Sequence, residues 1–414
     1  MAFTRRIPGL KSETWGTHRV SKAELVWDSQ GATLLTMNRT RRRFLRNVTL
    51  LGAATSIAPQ FGLAAVDEAA PCRTPYKYPQ LVLSATGRKG DFDQRSIDDP
   101  IVFYAKGAFQ MLYIGWDGIG YQTGLATSPD LVRWTRTALV GPRDAASKYT
   151  KYNLALSSIL RDKQLRSRGD AIKVGGKYIG AWNAYPSAGY EEGAAVIGMA
   201  TSEDLLHWQL SDPILTPQDG AAWEHGGLYR PDLMLNHGTY YLYYNAKTDT
   251  LPTSEGGGWR EQTGVATSTD LKSWTRYQHN PIVRNGARGS ATYPAANPIS
   301  STQPATPDAR DSRFASNPFV VQNGREFAMF YYGFRYQRPG RACEMLALGS
   351  DPYSFVKVPE ILIDTGAPGT IDETFAHKPS VITHEGALYH FYCAVSGQYP
   401  NEVRGIAVAR SKPW

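Results

Sequence analysis

Short apolar runs separated by tight turns follow one another along most of the chain. Five times between residues 92 and 414, an apolar run leads through a turn that contains Gly into a second run rich in aromatic residues. The five pairs read IVFY and FQMLYIGW, AIKV and KYIGAW, DLML and TYYLYY, FVV and EFAMFYYGF, and SVIT and ALYHFYCAV. Runs of this length on either side of a glycine turn predict β-hairpins.

One phrase recurs after the aromatic runs. It reads GLATSPDLVRW at 124–134, GMATSEDLLHW at 198–208 and GVATSTDLKSW at 264–274, with weaker copies at 346–355 and 405–414. A recurrence at intervals of about 60 to 80 residues indicates a repeat architecture, with room for about four strands in each unit. The hairpin, the phrase's own strand and a Trp-containing strand make four strands per repeat, and helical periodicity between repeats is weak.

These units predict an all-β fold, a five-bladed β-propeller of four-stranded antiparallel blades over residues 92–414. The Asp of the phrase is expected to cap a turn and the Trp to pack between blades. Asp130, Asp204 and Asp270 are therefore expected to be structural.

The charge of the chain is concentrated at its beginning. Of 45 Lys and Arg and 37 Asp and Glu, residues 1–65 hold 10 and 3, so that 35 and 34 remain for residues 66–414. The formal net charge of +8 thus falls to +1 after residue 65. A nucleic-acid partner is not indicated by so small a charge.

The first 65 residues resemble an export leader. TRRRFLR at 40–46 precedes a modestly apolar stretch at 48–65 that ends in small residues, as in twin-arginine signals. We expect residues 1–36 to be a non-native or disordered extension, 37–65 the signal and 66–91 a lead-in. The protein is then periplasmic or secreted, with no membrane contact after cleavage.

Three cysteines, Cys72, Cys343 and Cys393, do not form a CxxC motif, so zinc is not indicated. A Cys343–Cys393 disulfide and buried free thiols both remain open. No metal ligand set and no cofactor are predicted, although structural calcium is compatible with the sequence, and the oligomeric state is open.

Polar residues stand at one equivalent position in all five repeats, at the start of the apolar run. They are Asp99, Asp170, Arg230, Asn317 and Lys378; each precedes a Pro except Asp170, where Ala171 follows. In a propeller the first strand of each blade lines the central channel. Convergent charges in a channel indicate a site rather than a packed core.

The repeat phrase, the five blades and the Asp-Pro of the first blade resemble the five-bladed propeller glycosidases of families 32, 43, 62, 68, 117 and 130. The resemblance covers 92–414 and implies a carbohydrate substrate. It implies that Asp99 acts as nucleophile or base, with Asp98 its competitor, and that Asp170 orients the site. In families 32 and 43 the general acid is a glutamate two residues before the third blade's proline, where this chain has Tyr229.

Glycosidic cleavage needs a proton donor as well as a carboxylate. Glu224 is our leading candidate and His377 the second, while Glu191, Glu192 and Glu373 are further acids that could reach the channel. The phenol of Tyr229 and the imidazole of His225 stay open as contributors.

The cations of the predicted channel allow three interpretations. Arg230, Lys378 and Arg168 bind an anionic sugar, hold phosphate for phosphorolysis, or pair with the aspartates. Trp116 and Trp182 are expected either to stack on sugars or to pack between blades. The sequence thus predicts a glycoside hydrolase, with a non-catalytic glycan-binding propeller and a phosphorylase or transglycosidase as alternatives.

Overall fold

The computed structural model describes residues 67–252, 257–289, 307–336, 340–398 and 401–414. The predicted extension at 1–36 and the predicted signal at 37–65 lie outside the described residues. No helix within the described ranges has the length and apolar character needed to cross a membrane.

The structure confirms the all-β prediction. Two short strands, β1 (Tyr76–Lys77) and β2 (Leu83–Ser84), come first, and short 3-10 helices span Ala70–Cys72, Pro217–Asp219 and Ala222–Glu224. The other strands form five antiparallel groups in chain order: β3 (Ser96–Ala105), β4 (Ala108–Trp116), β5 (Tyr121–Ser128) and β6 (Thr135–Gly141); β7 (Ala155–Ile159), β8 (Lys173–Val174), β9 (Lys177–Ala184), β10 (Val196–Ser202) and β11 (Gln209–Leu215); β12 (Gly227–Asn236), β13 (Thr239–Lys247), β14 (Glu261–Ser268) and β15 (Thr275–Arg276); β16 (Phe314–Asn323), β17 (Glu326–Phe334), β18 (Ala342–Gly349) and β19 (Phe355–Ile363); and β20 (Phe375–His384), β21 (Ala387–Ser396) and β22 (Val403–Arg410).

Apolar clusters join the five groups, here called blades 1 to 5, into a closed ring. Each of five clusters contains buried residues from two neighbouring blades, which is the packing expected of a propeller. One representative pair per interface is Phe103 with Trp182, Ile197 with Leu242, Tyr243 with Tyr331, Phe330 with Leu388, and Phe391 with Val102.

The beginning of the described chain completes blade 5. Strands β1 and β2 both pair antiparallel with β22, through Tyr76 with Arg410 and Leu83 with Ile406. The outer edge of the last blade is therefore covered by residues that precede the first blade, which removes an exposed sheet edge.

The recurrent phrase forms the predicted turn. Asp130 Oδ1 accepts hydrogen bonds from the backbone N–H groups of Val132 and Arg133, at 3.0 and 2.8 Å, and Asp204 and Asp270 repeat the pattern. The indole of Trp134 donates to the carbonyl of Leu131 at 3.1 Å. The structural role predicted for the three aspartates is confirmed.

A second repeated element joins an acid, a tyrosine twenty residues later and a cation. The acid precedes the first strand of a blade, accepts a hydrogen bond from a second-strand Tyr hydroxyl, and pairs with a cation of the outer strand. The four sets are Asp93, Tyr113 and Arg136; Glu224, Tyr244 and Arg276; Asp311, Tyr331 and Lys357; and Asp372, Tyr392 and Lys77. Glu224 is thus a member of a structural series.

Blade 2 departs from the others because its first strand is split into β7 and β8. The intervening residues 160–172 cross one end of the channel and contact the first strand of every other blade. Their partners are Tyr104 of β3, Asp232 of β12, Gln322 of β16, and Val381 and Thr383 of β20. Residues 160–172, here called the plug, therefore close that end of the channel.

The three cysteines are free thiols and all are buried. Cys343 packs in the cluster between blades 3 and 4, and Cys72 in the cluster between blades 4 and 5. The structure therefore favours free thiols over the disulfide that the sequence left open.

Candidate active site

Four of the five predicted channel residues occupy the same unusual backbone position. Asp99, Arg230, Asn317 and Lys378 have φ angles of 63°, 50°, 55° and 68°, and each lies at a β-bulge of its strand. Positive φ is uncommon for residues other than Gly and often marks a functional site. The bulge re-aims each side chain, so that all four line one pocket.

The predicted placement of Asp170 is wrong because blade 2 begins earlier than its sequence suggests. Asp170 lies in the plug, with about half of its side chain exposed, and its carboxylate pairs with Arg168 at 2.8 Å. The bulge of β7 falls between Leu156 and Ser158, so Ser157 takes the equivalent position. Neither Asp170 nor Arg168 lines the pocket.

The pocket combines charged, polar and aromatic side chains. In addition to the four bulge residues it is lined by Ile114, Tyr121, Ala155, Asn183, Tyr185, Glu191 and Tyr229. Trp116 is half-buried beside it, with its ring 5.5 Å from Tyr121 and 5.4 Å from Tyr190. Trp116 therefore packs against the cluster beside the pocket, and its stacking on a sugar stays a prediction.

Asp99 and Arg230 form a buried ion pair on the pocket wall. Arg230 Nε lies 2.7 Å from Asp99 Oδ1, and Arg230 also donates to the carbonyl of Ser157 at 2.8 Å. Burial raises the pKa of Asp99, while the guanidinium of Arg230 and the ammonium of Lys378 oppose that shift. Arg230 is thus engaged by the protein itself.

The carboxylate of Asp98 forms ion pairs with two cationic side chains. Its Oδ2 lies 2.6 Å from Lys378 Nζ and 2.9 Å from Arg404 Nη1. Burial alone would raise the pKa of Asp98, but Lys378 and Arg404 outweigh burial and hold the pKa well below its usual range. Asp98 is therefore an ionised anchor for these cations.

His377 does not have the character of a proton donor. Its Nδ1 lies 3.1 Å from the carbonyl of Cys393, and its Nε2 faces Arg404 at 3.5 Å. Burial lowers the pKa of His377 to about 3, so the ring is neutral. Asp98, His377 and Cys393 have ligand atoms within 4.8 Å of one another, but the two cations on Asp98 make this group a poor metal site.

Apart from the ion-paired atoms of Asp99 and Arg230, two buried polar atoms of the pocket have no hydrogen-bond partner among the described residues. They are the hydroxyl of Tyr229 and Oδ1 of Asn317, and both residues are more than nine-tenths buried. Buried polar groups are normally hydrogen-bonded, so unpartnered atoms in a pocket indicate where a ligand or water binds. Tyr229 therefore contributes a free phenol at the position where families 32 and 43 have their acid.

Glu191 is the second pocket carboxylate, and Lys247 holds it at 2.7 Å. The ammonium of Lys247 also lies over the rings of Tyr229, Trp259 and Tyr185, at 4.7, 5.0 and 5.2 Å. A cation among aromatic faces is attracted by their electron density.

Glu261 lies behind the pocket wall and was not identified from the sequence. It is buried and accepts hydrogen bonds from Trp259 at 2.8 Å and Tyr332 at 3.2 Å. Ser316 lies 2.5 Å and Asn245 3.3 Å from the same carboxylate. Among the described residues, Glu261 has no ion-pair partner, unlike Asp98, Asp99 and Glu191.

Three other predicted site residues lie elsewhere. Glu224 is buried against Tyr244 and Arg276 and does not line the pocket, which argues against its predicted role as leading proton donor. His225 is partly exposed beside Asp249, at 3.7 Å. Trp182 is fully buried between blades 1 and 2, where its indole donates to the carbonyl of Met199.

Repeats in the sequence contain signals for three residues that were missed. YQTGLATS at 121–128 aligns with EQTGVATS at 261–268, which marks Glu261 as an acid in place of Tyr121. WNA at 182–184 aligns with YNA at 244–246, which marks Asn183 and Asn245. Arg404 and Lys247 become apparent only from the contacts between blades.

The sequence model of the glycosyl hydrolase family 32 N-terminal domain matches residues 170–294. A solved structure of a BT0996 complex with RGII is similar with 26% identity and a TM-score of 0.67, over 83% of this chain and 94% of that one. Another structure, described as "Glycoside hydrolase", has 25% identity and a TM-score of 0.66, over 83% and 93%.

A structure from the GH130 family of mannoside phosphorylases shares the fold at 15% identity, with a TM-score of 0.54 over 87% and 98% of the two chains. No curated protein matches the sequence. The partial family match and the two neighbours at 25% and 26% identity support one conclusion, that the chain is a glycosidase of the β-propeller glycoside hydrolase superfamily.

Proposed function

We propose that the protein hydrolyses a glycosidic bond, with Asp99 as base or nucleophile and Glu261 as proton donor. The observation that carries the proposal is the convergence of Asp99 with two unpartnered polar atoms, of Tyr229 and Asn317, in one pocket. A sugar hydroxyl can donate to the amide oxygen and can donate to or accept from the phenol. The plug closes the far end of the channel, which favours removal of a terminal sugar.

The surroundings of Glu261 support it as the donor. Ser316 Oγ contacts both Asn245 Oδ1 and Glu261 Oε2, and Asn245 Nδ2 contacts the same Glu261 oxygen. Among the described residues, no cation pairs with this carboxylate, in contrast to the carboxylates of Asp99 and Glu191. Glu261 is therefore the buried carboxylate near Tyr229 that no cation engages.

The position of Glu261 relative to Tyr229 adds to this assignment. Both side chains belong to blade 3 and are more than nine-tenths buried. Asn245, which contacts Glu261, is paired with Tyr229 across β12 and β13. In this proposal Glu261, from another strand of the same blade, supplies the acid that is absent at the position of Tyr229.

In the reaction, the bond between the anomeric carbon and the leaving oxygen breaks while Glu261 transfers its proton to that oxygen. The Asp99 carboxylate either attacks the anomeric carbon or removes a proton from the attacking water. Proton transfer of this kind contributes a factor of about 10²–10⁴ to the rate.

The charge pairing of the pocket favours a neutral sugar and hydrolysis by water. Arg230 pairs with Asp99, and Lys378 pairs with Asp98. Among the described pocket residues, both cations are therefore already engaged, and a sugar carboxylate or a phosphate would have to displace an aspartate. This distribution favours the pairing interpretation over an anionic substrate or phosphorolysis. Export through the arginine-rich leader remains part of the proposal.

A panel of glycosides tests the proposal. RGII oligosaccharide is the first natural substrate to test, because a similar protein has been solved as an RGII complex, and aryl furanosides and pyranosides extend the panel. We expect Asp99→Asn to reduce kcat by 10²-fold or more for every substrate, about the scale of proton transfer. Asp170→Asn, the same change on the exposed plug, is the control and is expected to leave kcat unchanged.

Comparing substrates whose leaving groups differ in their need for a proton identifies the proton donor. Glu261→Gln is expected to abolish cleavage of natural glycosides but to spare dinitrophenyl glycosides, because dinitrophenolate leaves without a proton. The same pattern in Glu191→Gln would instead make Glu191 the donor. Glycan binding without turnover across the panel would overturn the hydrolase proposal, and release of sugar phosphate only with added phosphate would replace it with phosphorolysis.

A further inference from the structure

The pocket is too small for a sugar as it stands. The free space inside it is about 30 Å³, although its mouth is open to solvent. A single water needs at least 10–15 Å³ or so by the same measure, so the inner space holds about two waters. A furanose or pyranose ring with its substituents has around ten heavy atoms, several times the volume of two waters. A glycosyl unit can therefore enter the inner part of the pocket only if a lining segment moves.

The loop between β9 and β10, residues 185–195, forms one side of the pocket through Tyr185 and Glu191 and also carries Tyr190. Two glycines with positive φ flank Glu191: Gly189 at 132° and Gly193 at 88°. Glu191 itself has a φ of 150°, a region that residues other than Gly rarely adopt. A backbone held in such a conformation persists only when surrounding contacts hold it there.

Backbone hydrogen bonds, ring contacts of Tyr190 with Trp116 and Tyr121, and one ion pair hold the tip of this loop. Gly189 donates its backbone N–H to the carbonyl of Ile119 at 2.9 Å, and the hydroxyl of Tyr121 donates to the carbonyl of Tyr190 at 3.3 Å. The carboxylate of Glu191 lies 2.7 Å from Lys247 Nζ. Lys247 is buried and belongs to the rigid strand β13, whereas a quarter of the Glu191 side chain is exposed.

The surroundings of Lys247 fix its ammonium group. Three rings, those of Tyr185, Tyr229 and Trp259, lie within 5.2 Å of it, and Tyr185 and Tyr229 also line the pocket. The electron density of these aromatic faces attracts the ammonium group but carries no negative charge. The anionic partner of Lys247 is the carboxylate of Glu191. Lys247 thus connects the covering loop to the pocket wall.

We propose that residues 185–195 form a lid over the pocket, and that the Lys247–Glu191 ion pair is the latch that keeps it closed. Lys247 is a positioning residue, since it acts through Glu191. The latch opens to admit a glycosyl unit and closes to exclude bulk water. This inference extends the proposed hydrolase, but the closed volume and the latch contacts stand whether or not Asp99 is the catalytic carboxylate.

Amide hydrogen–deuterium exchange of the full chain without ligand tests the latch independently of any activity. We expect Lys247→Met to increase exchange in residues 186–194 by about tenfold or more, with Lys247→Arg close to wild type because the charge is kept. Glu191→Gln removes the same ion pair through its partly exposed partner. The latch requires increased exchange in this variant as well. Glu191→Gln therefore tests the latch even if Lys247→Met, a change at a buried residue, destabilises its blade. Lys177→Met, a partly exposed lysine on β9 of blade 2, which carries the loop, is the control.

Two results would overturn the lid. One is exchange in residues 186–194 that is as slow in Glu191→Gln as in wild type. The other is exchange of this segment only together with the core strands, which would mean that it opens by global unfolding alone. Once a glycan that the protein cleaves is known, Lys247→Met should change kcat for that glycan, whereas Lys247→Arg should keep kcat close to wild type. A loss of kcat in Glu191→Gln with unchanged exchange would make Glu191 catalytic instead of a latch residue.

Discussion

The guanidinium of Arg230 lies 2.7 Å from the carboxylate of Asp99, with both side chains nearly excluded from solvent. Neighbouring carbonyls complete the environment of Arg230, including those of Ser157 and Pro379 at 2.8 and 3.3 Å. Each charge therefore has the other as its direct ion-pair partner, and carbonyl dipoles complete the environment of Arg230. A buried pair of this kind is costly to break from one side.

Removing Arg230 alone should consequently destabilise the fold. Arg230→Met leaves Asp99 buried without its cation, and we expect the free energy of unfolding to fall by about 3–5 kcal/mol. Urea denaturation measures the change. The double variant Arg230→Met with Asp99→Asn should recover part of the loss, because no uncompensated charge remains.

The plug offers a matched surface pair as the control. Arg168 and Asp170 lie 2.8 Å apart but are about half exposed, so Arg168→Met should cost less than about 1 kcal/mol. An equal cost for the two single variants would show that the central pair is solvated and does not behave as a buried one.

Asp98 should make stability depend on pH in the acid range. Its pKa in the folded protein is held below the usual value by Lys378 and Arg404, whereas the unfolded chain binds the proton near the ordinary pKa of about 3.9. Ionised Asp98 therefore stabilises the fold above about pH 4, and this contribution is lost as the pH falls further toward the folded-state pKa.

We expect Asp98→Asn to flatten the dependence of unfolding free energy on pH below about pH 4. The variant will also be less stable at neutral pH, because two buried cations lose their anion. The slope, and not the absolute stability, is the measurement that decides. If the variant retains the wild-type acid slope, Asp98 is not the group responsible.

Glu224 should matter for stability and not for turnover. It accepts a hydrogen bond from Tyr244 and pairs with Arg276 at 2.9 Å, as Asp93, Asp311 and Asp372 do in their own blades. We expect Glu224→Gln to lower the unfolding free energy by about 1–3 kcal/mol, the cost of a damaged buried hydrogen-bond set, and to leave kcat unchanged. A large loss of kcat with normal stability would instead return Glu224 to the reaction.

The contrast between Glu224 and Asp99 shows what sequence patterns could predict here. Each bulge residue was identified because a Pro follows it, and the four that obey this rule line the pocket. Asp170 lacks the Pro, and an insertion in the strand had displaced it from the channel. Glu224 was chosen for its nearness to Tyr229, although its twenty-residue spacing to Tyr244 repeats in three other blades.

Glu261 was harder to predict because its environment comes from three strands distant in sequence. Asn245 belongs to β13, Ser316 to β16 and Tyr332 to β17. The fold itself was predictable, since turn residues and strand alternation are local. Contacts across blades, such as those of Lys247 and Arg404, depend on how the ring closes and have no local signal.

The three cysteines should resist modification in the folded protein. Burial raises the pKa of Cys72 and of Cys343 to about 12, so the reactive thiolate is scarce at neutral pH. We expect no reaction with a thiol reagent in native buffer and three equivalents in denaturant without reductant. One equivalent in denaturant would reveal a disulfide, between two of the three cysteines.

The plug should produce a second dependence of stability on pH, with the same sign as that of Asp98 but at neutral to alkaline pH. Lys163 Nζ lies 2.5 Å from Asp232 Oδ1 in a buried pair beside the ring of Phe319. Burial lowers the pKa of Lys163 to about 7, although Asp232 opposes the shift. Between that value and the ordinary lysine pKa of about 10.4, the unfolded chain binds more protons than the folded one, so this group makes stability rise with pH.

The double variant Lys163→Met with Asp232→Asn removes both charges without leaving one of them alone. We expect the difference in unfolding free energy between wild type and this variant to grow in favour of wild type as the pH rises from about 7 to 10. Lys177→Met, exposed on β9, should show no such trend. A difference that stays constant over this range would mean that Lys163 remains charged in the plug, because the ion pair with Asp232 then outweighs burial.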